Sequence, residues 1–309
     1  MTESVELAKA DAPRGGGLVN AVLRRAAREA RGIVEALPDE TPAQAALKHS
    51  HPAWIAELWF DTLGPDDARE LMRADNRPAE AVLRANTLRL TASALAERIP
   101  GRVEGDALIL DAPFDAFASP EWEQGLFMPQ SRAAMAVSTA LDPQPGERVL
   151  DLCAAPGGKT THLAALMGDR GEVVAVERHP QRARALAAQA QRLHATSVRV
   201  HEADAKAVTA DALGGRFDRV LIDPPCSGLG TLRTHPDLRW RATPESVEAL
   251  RAEQEAIVAA ARAVLAPGGR LVYSTCTLSP REEVVGGSVQ RTFPHRDGTD
   301  GFYIAVDGD

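Results

Sequence analysis

Apolar positions recur along the chain with two different periods, and the change of period divides it. In residues 1–35, Leu18, Val19, Val22, Leu23 and Ala26 recur three to four apart, opposite Arg24, Arg25, Arg28 and Arg31. This predicts an amphipathic helix with a basic face, and Gly15-Gly16-Gly17 reads as a turn before it. From Pro52, the positions Trp54, Ile55, Leu58 and Trp59 predict a helix that stops near Gly64-Pro65. A short helix from Asp66 to Ala74 begins with acids, as the helix dipole favours. Farther on come short strands (Ala81–Leu88, Ala107–Leu110) and a helix (Ala92–Arg98). After Pro143-Gln144-Pro145-Gly146, strands alternate with helices. The strands are Arg148–Cys153, Glu172–Glu177, Ser197–Glu202, Phe217–Asp223, Arg270–Cys276 and Phe302–Val306. The helices are Lys159–Met167, Gln181–Leu193 and Pro244–Leu265. That alternation predicts an α/β fold with a parallel sheet over 131–309, preceded by a helical segment (1–35) and a small α+β domain (36–130).

Ligands of such sheets bind outside the carboxyl ends of the strands, so the residues just after each strand carry the candidate chemistry. The first strand runs into Asp151-Leu152-Cys153-Ala154-Ala155-Pro156-Gly157-Gly158-Lys159-Thr160. A glycine-rich turn entering a helix brings backbone N–H groups to a ligand. A phosphate loop is one reading: Gly158-Lys159-Thr160 fits it, while Cys153 stands at its first glycine. The loop that wraps the amino-acid end of S-adenosyl-L-methionine is another, and a purely structural turn is a third. Glu177, ending the second strand, is placed to accept from a ribose diol, or is a surface glutamate. Asp204, after the third, is placed to accept from an adenine amino group, or is a helix cap.

The fourth strand ends in Asp223-Pro224-Pro225-Cys226-Ser227-Gly228 and the fifth in Tyr273-Ser274-Thr275-Cys276-Thr277. All three cysteines of the chain therefore fall at strand ends, and Cys226 and Cys276 on neighbouring ones. They lack the paired spacing of a zinc site, so no metal is expected. A buried hydrophobic role remains open for Cys153. A thiolate offers particular chemistry: added to C6 of a cytosine, it makes C5 nucleophilic enough to accept a methyl group. Asp223 could then hydrogen-bond the base at N3.

Charge changes this picture little. The chain of 309 residues has 35 basic and 43 acidic side chains, net −8, which alone leans away from nucleic acid. The distribution is uneven: residues 101–150 hold 3 basic and 8 acidic side chains, residues 151–200 hold 7 and 4. An odd, low cysteine count fits a reducing cytosol. No apolar run reaches the ~18–20 residues of a membrane span, and the first residues show no signal-peptide pattern.

The segments Asp151–Thr161, Asp223–Gly228 and Ser274–Thr277 resemble the hallmark motifs of the RNA (cytosine-C5)-methyltransferase family. Arg233–Trp240 and His295–Phe302 resemble segments of its bacterial 16S ribosomal RNA methyltransferase B subgroup, the Sun/Fmu-like proteins. The resemblance implies a Rossmann-like class I methyltransferase domain over 131–309 and an RRM-like, RNA-orienting module over 36–130. Residues 1–35 would be a remnant of a NusB-like helical domain. It implies Cys276 as nucleophile and Cys226 in product release. Cys153, Ala154, Ala155, Pro156, Gly157, Gly158, Lys159, Glu177, Asp204 and Asp223 would line the S-adenosyl-L-methionine site. The expected partner is RNA, 16S rRNA in particular, with Arg132, Arg233, Arg239 and Arg241 in contact with it; the chain is expected to be a cytoplasmic monomer. A DNA cytosine methyltransferase fits less well, since its nucleophile sits on the fourth-strand loop. A non-catalytic RNA-binding or ribosome-assembly factor on the same fold is the competing class. The stretch from Glu282 to Phe293 is too short for the helix and strand usual there, which leaves the completeness of the sheet open.

Overall fold

The structure, a computed structural model, describes residues 2–12 and 14–308. The chain forms two compact units, one ending at Met72 and one starting at Arg73. The first holds α1 (Thr2–Asp11), α2 (Gly16–Glu35), α3 (Pro42–His49) and α4 (Ala53–Leu63), and α5 (Pro65–Ala74) begins in it. Gly15 lies in the expected turn and precedes α2 as its cap, whereas Gly16 and Gly17 already belong to the helix's first turn. Leu18 and Val22, two of the expected apolar stripe, are exposed. Thr41 caps α3 with a reciprocal Thr41–Gln44 box, and Ile55, Ala56, Trp59, Ala68, Leu71 and Met72 are buried. Among the described residues, no helix is long and apolar enough to cross a membrane.

The second unit contains two sheets. The smaller is antiparallel, order β2-β3-β1-β4, built from β1 (Val82–Ala85), β2 (Gly101–Glu104), β3 (Ala107–Leu110) and β4 (Phe127–Pro129), with the short helices α6 (Ala92–Ala96) and α7 (Pro120–Glu123). The larger has seven strands: β5 (Arg148–Leu152), β6 (Glu172–Glu177), β7 (Val198–Glu202), β8 (Phe217–Ile222), β9 (Leu265–Thr275), β10 (Ser288–Thr292) and β11 (Phe302–Asp307). Their order is β10-β11-β9-β8-β5-β6-β7, parallel from β9 to β7, with β10 and β11 antiparallel at one edge. The remaining helices are α8 (Arg132–Leu141), α9 (Gly158–Leu166), α10 (Pro180–Arg192), α11 (Leu238–Arg241), α12 (Pro244–Val264) and α13 (Pro294–Asp297).

The short stretch after Glu282 thus supplies the strand without the helix. β10 pairs with β11 from Ser288↔Val306 to Thr292↔Phe302, and the sheet is complete at that edge. Both faces of the central strands are covered, which is why they read as continuous apolar runs. Leu150, Val174, Val220 and Leu271 pack with Ile257, Val258 and Ala261 of α12. On the opposite face, Val149, Leu221 and Val272 pack with Val137 of α8 and Leu163 of α9.

Polar side chains, two of them buried, fasten the small sheet to the large one. Arg84, 1% exposed, donates to Gln130 Oε1 (2.6 Å), to the Gly158 carbonyl and to Thr161 Oγ1 (3.0 Å). Asn86 donates to the carbonyls of Gly125 and Leu193, both at 2.8 Å. Arg192 stacks over Trp122, 3.4 Å from its centroid.

Candidate active site

β5 and β8 stand side by side at the centre of the sheet. Connections leave in opposite senses there, so their carboxyl ends open a crevice. The chain leaves β5 through Cys153 at φ 64 and enters α9 through Gly157 at φ 105. Gly157 is required twice over: its φ is left-handed, and a Cβ would lie 2.6 Å from Leu186 Cδ1. Ala154 and Ala155 turn their methyl groups into a small cluster with Ala175 and Leu186, so they can meet a ligand through backbone alone. Pro156 is exposed.

Lys159 does not point toward a phosphate. Its Nζ donates to Asp223 Oδ2 at 2.7 Å and lies over the Phe302 ring at 5.2 Å, and Ser274 Oγ donates to Asp223 Oδ1 at 3.0 Å. This sets aside the phosphate-loop reading of the turn. Burial opposes the Lys159 charge, but Asp223 outweighs it and holds the ammonium above its ordinary range, with Cys276 and Asp151 adding to the attraction. Beneath them, burial pushes the Asp151 carboxyl up to about 7 against the hydrogen bond from Thr160 (2.6 Å); the charge of Asp223 adds to the rise. Among the described residues, Asp151 Oδ1 has no partner.

Alongside lies a narrow cleft lined by Cys153, Glu177, Asp204, Pro225, Glu253 and Ile257 among others. Glu177, 4% exposed, accepts from the His179 backbone at 2.8 Å, and its other oxygen lies 3.6 Å from Arg182 Nε. Asp204 accepts from Lys206 N at 2.9 Å, so the cap and the cleft-lining acid are the same residue. Burial, followed by the charges of Asp223, Asp151, Glu177 and Glu253, pushes the Cys153 thiol up to about 12, which keeps it neutral. Three acids, Glu177, Asp204 and Glu253, thus stand with the apolar Pro225 and Ile257 around one cleft.

The two other thiols meet. Cys226 Sγ lies 3.2 Å from Cys276 Sγ, and both side chains are partly exposed. The Cys226 thiol is held well above its ordinary range, first by its hydrogen bond to Cys276, then by burial and by the charges of Cys276, Glu282 and Asp223. The loops that carry them are tied at the backbone, Gly230 N donating to the Cys276 carbonyl at 2.9 Å.

Three of the four arginines expected on RNA serve the protein itself. Arg132 donates to Glu80 (3.0 Å), Glu104 (2.8 Å) and the Asp297 carbonyl (2.9 Å). Arg233 donates to the carbonyls of Gly298 (3.0 Å) and Pro78 (2.6 Å). Arg239, 4% exposed, donates to Asn76 Oδ1 and the Asp75 carbonyl. Loop carbonyls far away in the chain needed donors, a demand that local sequence does not display. Arg241 stays exposed, pairing with Asp237 at 3.2 Å beside the exposed Trp240. Sequence reasoning passed over Gln254 and Glu282. Both are fully buried polar side chains, and their one outward sign is that neither fits its apolar surroundings.

A family model described as 16S rRNA methyltransferase RsmB/F matches residues 138–286, which include every strand-end residue above. The chain is 39% identical to the probable ribosomal RNA small subunit methyltransferase B of Synechocystis sp., over 90% of this chain and 64% of that one. It is 36% identical to the ribosomal RNA small subunit methyltransferase B of Vibrio vulnificus, over 98% of this chain and 76% of that one. The chain belongs to the RsmB/F family of 16S rRNA methyltransferases. Among solved structures, the chain is similar to the methyltransferase homolog protein from Pyrococcus horikoshii, with TM-score 0.73 and 27% identity over 86% of this chain and 97% of that one. Compared with its RsmB/F relatives, the chain spans roughly two thirds to three quarters of their length.

Proposed function

We propose that the chain methylates C5 of a cytosine in RNA, with 16S rRNA as substrate and S-adenosylmethionine as donor, through a covalent adduct to Cys276. One observation carries this reading: two free thiols 3.2 Å apart at the ends of neighbouring parallel strands, beside the Lys159–Asp223 pair. Glu177 would accept from the donor's ribose and Asp204 from its adenine, with the backbone of 153–159 along its amino-acid end. Bound there, the donor supplies an electrophilic methyl group on a sulfonium. Cys276 Sγ adds to C6, and the electron density pushed into the ring makes C5 the nucleophile. Asp223, held by Lys159 and Ser274, accepts from the base at N3 once that nitrogen is protonated. After methyl transfer a base takes the C5 proton, that C–H electron pair re-forms the C5–C6 double bond, and Cys276 leaves with the C6–S pair as thiolate. Cys226, in contact with the departing sulfur, acts in this release. The small sheet orients the RNA, and the helices of residues 1–35 belong to a NusB-like segment.

The test is methyl transfer from labelled donor to 16S rRNA. Cys276→Ala and Cys226→Ala are both expected to lose turnover, with a trapped covalent RNA complex in Cys226→Ala alone. Wild-type activity in Cys276→Ala overturns the mechanism.

A further inference from the structure

The two thiol loops leave β8 and β9 as separate irregular segments, yet their sulfurs lie in contact. A fully buried carboxylate joins them. Glu282 Oε1 accepts from Ser227 N (2.8 Å) and from Gln254 Nε2 (3.0 Å), and Oε2 accepts from Ser227 Oγ and Thr277 Oγ1 (3.1 Å). Ser227 follows Cys226 and Thr277 follows Cys276, and their hydroxyls also touch each other at 2.6 Å. Glu282 is itself pinned: Tyr273 Oη donates to its carbonyl (2.8 Å) and to Gln254 Oε1 (3.0 Å), and Gln254 Nε2 donates to the Pro225 carbonyl (2.9 Å). All of Gln254, Tyr273 and Glu282 are 0% exposed. A carboxylate is rarely buried so completely without a reason, and here each oxygen serves one or both loops.

We infer that Glu282 is the positioning residue of the thiol pair: by holding Ser227 and Thr277 together it fixes where the Cys226 and Cys276 sulfurs stand relative to each other. It touches neither base nor donor. The Gly230–Cys276 backbone bond ties the main chains, whereas Glu282 sets the residues next to the sulfurs. Its role in turnover rests on the function proposed above; its hold on the thiols does not.

The experiment therefore reads both. Wild type, Glu282→Ala and Glu282→Gln are assayed for kcat and KM with 16S rRNA and S-adenosylmethionine. The same proteins, without RNA or donor, are treated with iodoacetamide, and the ratio of Cys276 to Cys226 labelling is read by peptide mass mapping. Glu282→Ala is expected to lower kcat on the order of 10²-fold, as a displacement of about 1 Å in an active site does, with both KM values within about twofold. Its labelling ratio is expected to fall several-fold. Glu282→Gln keeps the length and can still bond all four partners once the hydroxyls rotate, so it recovers most of kcat and of the ratio. Wild-type kcat and ratio in Glu282→Ala overturn the inference, as does a Gln variant as slow as Ala with its ratio intact. Should Glu282→Ala not fold, Ser227→Ala and Thr277→Val each remove one tie; a drop in kcat and ratio at unchanged melting temperature supports the inference, and no drop in either overturns it. A wild-type protein that fails to methylate RNA, with a ratio that still collapses in Glu282→Ala, sinks the methyltransferase reading and leaves the positioning role standing.

Discussion

Two regions of the second unit join residues distant in the chain, and they do it differently. At the strand ends, groups meet because the parallel sheet delivers every carboxyl end to one edge; Cys226 and Cys276 are 50 residues apart and in contact. At the seam between the two sheets no such rule operates. Arg84 reaches the Gly158 carbonyl across 74 residues by burying a guanidinium among acceptors. Burial pulls its pKa down to about 9, against the attraction of Asp106 and with the repulsion of Arg192. The site holds partly exposed, reactive groups, whereas the seam buries a guanidinium whose two terminal nitrogens are bonded to protein acceptors. The seam's charges stabilise the assembly, and those at the strand ends are arranged for chemistry.

Substitutions in each region should separate these roles. Arg84→Met takes one donor from each of the Gln130, Gly158 and Thr161 acceptors. It is expected to lower stability on the order of 3 kcal/mol in urea unfolding, while kcat of the folded protein changes less than about tenfold. A large loss of kcat without loss of stability would erase the distinction. Lys159→Met is the converse. It frees Asp223, which at 28% side-chain exposure can be hydrated in place of the lost cation. Methyl transfer should fall on the order of 10²-fold, and the urea midpoint should move little.

The same contrast explains what could be read from the sequence. The strands of the large sheet were legible because buried parallel strands are continuous apolar runs, and the strand ends followed from topology. The cysteines, Lys159, Glu177 and Asp204 could thus be singled out residue by residue. The Lys159–Asp223 pairing could not, because Gly158-Lys159-Thr160 matches a phosphate loop equally well until the direction of the side chain is known. β10 was hidden because Ser288–Thr292 is largely exposed at an edge and shows little apolar alternation. Arg132, Arg233 and Arg239 were placed on RNA because an arginine's local sequence does not reveal distant carbonyls that need donors. Gln254 and Glu282 follow the same logic from inside the core.

Protonation gives the two regions opposite slopes. Asp151, at the site, is pushed from the ordinary 3.8 up to about 7 by burial first, and Asp223 adds to the rise. Between those values the folded chain holds a proton that the unfolded chain has released, so this group lowers stability as pH rises from about 4 to about 7. His162, at the seam, is pulled from 6.5 down to about 4 by burial and then by Arg84, against Asp106. Between those values the unfolded chain takes up a proton that the folded chain refuses, so this group lowers stability as pH falls from 6.5 toward 4. Urea midpoints across this range should therefore tilt toward higher stability at high pH in Asp151→Asn, and toward higher stability at low pH in His162→Gln. Tilts of the same sign in both variants would mean that the two burials do not act as described.

The smallest effect lies in the segment after the Cys226 loop, where the comparison narrows to neighbouring residues. Arg239 and Arg241 stand on one short helix, the first 4% exposed and tied to Asp75 and Asn76, the second with 74% of its side chain exposed. An exposed arginine beside an exposed tryptophan can neutralise a phosphate, and each phosphate so neutralised on a single strand adds about 0.7 to the slope of log affinity against log salt. Arg241→Ala should weaken RNA binding a few-fold at low salt and reduce that slope by about this amount, leaving stability unchanged. Arg239→Ala should do the reverse, lowering the urea midpoint while the salt slope holds. If Arg239→Ala instead reduces the slope in a protein of unchanged stability, its guanidinium leaves Asp75 and Asn76 for RNA, and burial is not what separates the two arginines.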